Sequence, residues 1–405
     1  MLTNEEIRRQ AELQHDYVIE CRRTIHRFAE VSGTEFKTSA FIEGEIKKTG
    51  LPYEKAGDTG RIAILDTGKP GPRIALRADI DALPVPEEPN NLAGPRVVMS
   101  DDSHTSHACG HDAHSAMLLG SMRALVANRD QLNGVVYFCF EEGEEDGKGI
   151  PFMIDQLKAH GVDVCWGIHV YAGLESGRIC VSHGPRMAGA AEVRIKVIGK
   201  GGHGSRPDMA ANPVFCAAAI LTNTATAWVN QISAGKTVTL GVTSIHGGEA
   251  GNVIPDTASM LGSLRFFDDA EGEKAVQVFK KVAEHTAAMN NCHVEFGERF
   301  RVLCAPVIND EHYSNLIANA LPEVLPEGAV SPCEPWYASE AFSRYREICP
   351  SVFAHLGINN PAYGSGAPHH NGFFDVDENV LSLGLMSTLK FVDAVESESR
   401  KDMTV

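Results

Sequence analysis

Val135-Val136-Tyr137-Phe138-Cys139-Phe140, a helical pattern from Ile150 to His160, and Val164-Cys165-Trp166-Gly167-Ile168 form the stretch that decides the fold. Short apolar runs rich in β-branched and aromatic residues read as strands, and the longer segment between them as a helix. Upstream, Arg61-Ile62-Ala63-Ile64-Leu65 and Arg73-Ile74-Ala75-Leu76-Arg77 read as two more strands joined by a Gly/Pro turn from Gly68 to Pro72. A turn-rich loop (Pro84 to Asp102) and a helix from Asp112 to Ala127 follow, and Asn4 to Thr49 reads as two helices broken near Val31-Ser32-Gly33. Strands alternating with helices predict an α/β domain with a mixed central sheet.

Around Met187 the pattern changes. Ala191 to Val197 is a strand, Pro213 to Val229 a helix, Thr237 to Ile245 and Ala258 to Phe267 strands, Glu271 to Met289 a helix and His293 to Val302 a strand. That β-α-β-β-α-β order is the split unit of a ferredoxin-like sandwich. From Cys304 the α/β pattern resumes. The expected organisation is a larger α/β domain in two parts, 1–186 and 304–405, with a smaller α+β domain inserted at 187–303.

With 43% hydrophobic residues the chain carries enough apolar material for a large core. Its 36 basic against 53 acidic residues leave a formal charge of −17, which repels phosphate backbones and argues against nucleic acid as a partner. No segment approaches the ~18 uninterrupted apolar residues of a membrane helix. The polar start Met1-Leu2-Thr3-Asn4-Glu5-Glu6 has no export-signal pattern. Ten scattered cysteines without a CxxC pair read as reduced thiols in a cytoplasmic protein.

The densest chemistry lies in His107-Ala108-Cys109-Gly110-His111-Asp112-Ala113-His114. Cys109 and His111 stand two apart, so in extended backbone they project to one side, and thiolate plus imidazole suits zinc or another late divalent ion. A polar loop with coincidental histidines fits those residues by themselves equally well. The strand 135–140 runs into Glu141-Glu142-Gly143-Glu144-Glu145-Asp146, five carboxylates that repel one another unless a cation is present. His169 follows directly on the strand 164–168, and His369-His370 follow a Gly/Pro loop. A thiol, carboxylates and several histidines at strand ends suit a two-metal hydrolytic site better than one structural zinc.

These motifs make the chain resemble the M20 metallopeptidase and amidohydrolase family, in particular its aminoacylase-like branch (subfamily D), which holds hippurate, indoleacetyl-amino-acid and other N-acyl-amino-acid hydrolases. The matching residues are Arg77 to Pro84, His107 to His114, Phe140 to Glu145, Gly167-Ile168-His169, Gly199 to His203, Asn252 to Asp256 and His370 to Glu378, in family order. Phe140-Glu141-Glu142-Gly143 departs from the usual Phe-Gln-Pro-Ala of that motif.

The resemblance implies five ligands for two divalent metal ions, falling on Cys109, His111, Glu145, His169 and His370. Manganese or zinc is expected, with cobalt and nickel tolerated. His370 is preferred to His369 because the family's last histidine lies seven residues before an Asp-Glu pair, here Asp377-Glu378. The resemblance further implies Glu144 as general base and His203 as a catalytic donor and substrate contact. It places Asn252 and Arg265 on the substrate carboxylate, and leaves Asp81 to orient a ligand from behind. A surface ion-pair role competes for Arg265. The implied activity is hydrolysis of the amide bond of small N-acyl amino acids by a homodimer, with 1–186 and 304–405 as the catalytic domain and 187–303 as an inserted lid or dimerisation domain. The rivals are a metallo-exopeptidase with the same site, cutting dipeptides or C-terminal residues, and a non-catalytic metal-containing binder.

Overall fold

The computed structural model describes residues 2–402, which form two compact units. The larger comprises the chain up to Gly184, Ile308–Glu334 and the chain from Arg344 onward; the smaller comprises Pro185–Val307 and Pro335–Ser343.

A seven-stranded mixed sheet is the frame of the larger unit, in the order Tyr53–Ala56, Gly60–Asp66, Val135–Glu141, Arg73–Asp79, Val164–Glu175, Ser351–Asn359, Ile179–Cys180. The four strands from Val135–Glu141 to Ser351–Asn359 in that order run parallel, and the flanking strands pair antiparallel. Parallel strands are covered on both faces, which accounts for the unbroken burial of Val136 to Phe140, Ile74 to Leu76 and Val352 to Leu356.

The helix His111–Ala127 packs on Arg73–Asp79 and Val164–Glu175 and is covered in turn by Asn4–Phe28 and Leu381–Asp402. Buried along nearly its whole length, it has no polar face to show. Gly120 permits that close packing, since a Cβ there would lie 2.5 Å from Val18 Cγ2 and 2.8 Å from Leu385 Cδ1. The expected N-terminal pair of helices is Asn4–Phe28 and Phe36–Thr49. The first starts where the Thr3 side chain accepts the Glu6 N–H and ends at Ala29 in the left-handed region.

Two expectations are corrected. The strand thought to end at Ile168 continues from Val164 to Glu175, so His169 lies inside it, held by parallel pairing opposite His355. The expected strand His293 to Val302 is two strands, His293–Phe296 and Val302–Cys304, both paired with Gly189–Ile198. Phe300 leaves the ladder to enter the core, where its ring packs 5.5 Å from Phe279 and 5.6 Å from Phe296.

The smaller unit has an antiparallel sheet in the order Val238–His246, Thr257–Phe266, Gly189–Ile198, His293–Phe296. With the helices Pro213–Gln231 and Asp269–Met289, that is the strand order of the split βαβ sandwich. Alternate residues Val193, Ile195 and Val197 meet Ile220, Phe279 and Ala283 in its core. Pro335–Ser343 joins this unit through Ala188 N–H, which bonds the carbonyls of Trp336 and Ala338. No helix among the described residues is long and apolar enough to cross a membrane.

Candidate active site

The parallel strands Arg73–Asp79 and Val135–Glu141 stop level with each other, Asp79 opposite Glu141. The chain leaving them carries Asp81 and the acidic run to Asp146. The loop before helix His111–Ala127 carries Cys109, the strand Val164–Glu175 carries His169, and the loop after Ser351–Asn359 carries His369 and His370. Carboxyl ends of parallel strands are where such sheets place ligands.

The fold gathers these residues from four segments. Ligand-capable atoms of Cys109, His111 and His169 lie within 4.8 Å of one another, as do those of Cys109, Glu145 and His370, and those of His111, Glu144 and Glu145. Cys109 Sγ is 3.5 Å from His169 Nε2, and Glu145 Oε1 is 3.5 Å from His370 Nε2 and 3.8 Å from His111 Nε2. Donors ~2.1 Å from one tetrahedral ion stand ~3.4 Å apart, and these gaps are near that spacing. His111 Nε2 and Glu145 Oε1 are buried without a hydrogen-bond partner, a costly state that a cation relieves. Thiol, imidazoles and carboxylate therefore fit a pair of divalent ions.

The neighbouring groups aim the ring nitrogens. His169 Nδ1 donates to the Val170 carbonyl at 2.6 Å, leaving the Nε2 lone pair toward Cys109. Burial, with His114 and His369 nearby, holds the pKa of His169 well below its usual value, so the ring is neutral, as a ligand must be. Asp81 Oδ1 holds His111 Nδ1 at 3.0 Å, while its Oδ2 accepts from Ser32 Oγ at 2.7 Å and from the Glu145 N–H at 3.0 Å. One carboxylate thus places two of the gathered residues.

Burial alone would lower the pKa of His111, but Asp79, Asp81 and Glu145 outweigh it and raise it to about 10. Without an ion, a proton occupies the place where positive charge is wanted. Loading the metal-free protein with divalent ions at pH 8 should therefore release a proton from His111. Titration calorimetry in two buffers of different ionisation enthalpy measures that release; heats independent of the buffer would place the ions elsewhere.

Cys109 and His111 do not converge through extended backbone. Gly110 lies at φ 91° and His111 opens the helix, so a tight turn brings them together. Of the paired histidines, His369 Nε2 accepts the Ala172 N–H at 3.1 Å, whereas His370, held at φ 59°, presents Nε2 to Glu145. His114 is occupied at both nitrogens, Nδ1 by Asp79 at 2.6 Å and Nε2 by the Val170 N–H at 2.9 Å.

The acidic run is also divided. Glu141 pairs with Arg77 and Tyr345, Glu142 accepts N–H groups of Thr59 and Gly60, and Asp146 bonds Lys148. Protein donors thus relieve three of the five carboxylates expected to need a cation, and Glu144 and Glu145 stand with the histidines. The period-two spacing Arg77-x-Asp79-x-Asp81 was a usable signal for the groups behind the site. Nothing in the sequence links Tyr345 to Glu141, 204 residues away.

Three expected site residues lie in the smaller unit. His203 pairs with Val253 in a two-stranded ribbon, its Nδ1 3.2 Å from the Ser205 N–H, and the adjoining Gly204 N–H bonds the Asn252 carbonyl at 2.8 Å. Arg265, on Thr257–Phe266, donates to Ser339 Oγ at 3.1 Å and has no carboxylate partner among the described residues.

Residues 75–392 match the model of peptidase family M20/M25/M40. The chain belongs to that family. It is 34% identical to thermostable carboxypeptidase 1 of Saccharolobus solfataricus over 92% of this chain and 93% of that protein. It is 32% identical to the N-acetyl-L-cysteine deacetylase of Bacillus subtilis, over 90% of this chain and 84% of that protein. A solved dinuclear metal-binding peptidase of the M20 family from Bacillus subtilis superposes with a TM-score of 0.81 at 27% identity, covering 95% of this chain and 99% of that one. This M20 member is a metal-dependent amidohydrolase.

Proposed function

We propose that this M20 enzyme hydrolyses the amide bond of N-acyl amino acids, acyl or aryl-acyl conjugates, to a carboxylic acid and a free amino acid. The observation that carries the proposal is the occupation of the acidic groups. Asp79, Asp81, Glu141 and Glu142 are bonded to protein donors, and the two carboxylates beside His111, Glu144 and Glu145, take the base and ligand roles of this proposal, so none of these six is set aside for a substrate ammonium. A blocked, uncharged amine needs no such partner. The likeness to an N-acetyl-L-cysteine deacetylase points the same way.

In this proposal Cys109, His111, Glu145, His169 and His370 hold two divalent ions, manganese or zinc, with cobalt or nickel as substitutes. Bound there, the ions polarise the amide carbonyl and lower the pKa of a water to ~7. Glu144 takes a proton from the attacking water and passes it to the leaving amine nitrogen. Asp81 keeps His111 and the Glu145 backbone in place. His203 donates to the developing oxyanion, and Asn252 and Arg265 hold the substrate carboxylate. Arg265 suits that task because its guanidinium is half-buried without an acidic partner. Arg265→Ala should raise KM about 10- to 100-fold for substrates with a free carboxylate, with little change for their methyl esters. Equal losses on both would remove Arg265 from substrate binding.

The proposal includes a homodimer, supported by Phe215 and Val229, exposed on Pro213–Gln231, and a cytoplasmic location, where Cys109 stays reduced. Light scattering decides the first. A carboxypeptidase reading is the alternative, favoured by the 34% identity to such an enzyme. The deciding experiment follows amine release from N-acetyl, N-benzoyl, indoleacetyl and aminobenzoyl amino acids and from simple dipeptides, with stripped protein reloaded with manganese or zinc. Metal-dependent release from one acyl class supports the proposal; cleavage of dipeptides alone selects the peptidase, and binding without turnover selects a binder.

A further inference from the structure

A line of buried polar groups runs through the larger unit to the gathered ligand atoms. Tyr345 OH donates to Glu141 Oε2 at 2.6 Å, and Arg77 Nη2 donates to Glu141 Oε1 at 2.6 Å. Arg77 Nη1 donates to Asp79 Oδ2 at 2.8 Å, and that same oxygen lies 3.7 Å from His111 Nε2. All five residues are buried. Of the first four, only Asp79 reaches the group of ligand-capable atoms.

Arg77 and Asp79 by themselves cancel; burial raises the pKa of Glu141, while the hydrogen bonds from Arg77 and Tyr345 favour its carboxylate, and as a carboxylate it tips the trio to a net negative charge. A glutamine at 141 could accept from Arg77 and donate to the Tyr345 oxygen, so hydrogen bonding alone does not require a carboxylate there. What the carboxylate adds is charge, and in a poorly screened interior that charge acts on a divalent ion several contacts away.

We infer that Glu141, held by Arg77 and Tyr345, is a positioning residue that strengthens divalent-ion binding by keeping negative charge behind Asp79 and His111. The inference rests on the reading of the site as a divalent-metal centre. It adds to that reading a residue that touches neither ion nor substrate.

The test is a titration of stripped full-length protein with cobalt(II), followed by visible absorption, for the wild type, Glu141→Gln and Tyr345→Phe. Glu141→Gln should weaken cobalt affinity about tenfold or more, with the number of ions and the absorption bands unchanged. Tyr345→Phe, which removes a donor to the carboxylate, should weaken it about threefold. A role confined to structure would lower the melting temperature of the stripped protein and leave the dissociation constants alone, and that result overturns the inference. Changed bands or a lost ion in Glu141→Gln would also overturn it, because the residue would then be shaping the ligands. Should Glu141→Gln fail to fold, unchanged cobalt affinity in Tyr345→Phe overturns the inference. If the wild type takes up no cobalt, the metal-centre reading itself fails, a result distinct from these.

Discussion

Glu144→Gln should keep both metal ions and lose turnover by about 10²- to 10⁴-fold, the range expected when a general base is removed. Glutamine preserves the shape of the side chain but cannot take up the proton of the attacking water. The five proposed ligands are untouched, and Glu145, whose N–H is tied to Asp81, keeps its own anchor. Elemental analysis should therefore report unchanged metal content beside the lost kcat. A kcat within a few fold of wild type would transfer the base role elsewhere. Loss of metal along with activity would instead make Glu144 a ligand, an assignment its closeness to His111 and Glu145 makes worth checking.

Cys109→Ala should have the largest effect on metal content. Cys109 belongs both to the group with His111 and His169 and to the group with Glu145 and His370. Its removal takes a donor from both at once. Content should fall from two ions per chain to one or none, with activity falling in parallel and recovering only partly at high metal concentration. A second readout is independent of catalysis: bound metal should protect the buried Cys109 thiol from alkylation in the wild type. Full occupancy in Cys109→Ala at unchanged affinity would remove the thiol from the ligand set.

Much of the fold was legible because buried parallel strands and amphipathic helices carry their period in local composition. Val135 to Phe140 and Arg73 to Arg77 are strands in the structure. Where the expectation failed, a long-range partner had overruled a local signal. His169 continues its strand because a parallel neighbour pairs with it through His355, and the strand after His293 breaks because Phe300 is worth more in the core than in the ladder.

The residue types able to hold a metal, and their order along the chain, are properties of the sequence alone, since a thiol, a carboxylate or an imidazole is the same donor wherever the chain carries it. Which of them meet is a tertiary property. Both Glu141 and Glu145 are carboxylates of one short run, yet Arg77 and Tyr345 take the first, while the second keeps an oxygen without a hydrogen-bond partner beside His111 and His370. His369 and His370 are chemically identical neighbours, given different surroundings by one backbone N–H from Ala172 and one left-handed residue. Donor chemistry is local and can be read from composition, whereas donor availability depends on groups brought near by packing, often from more than a hundred residues away.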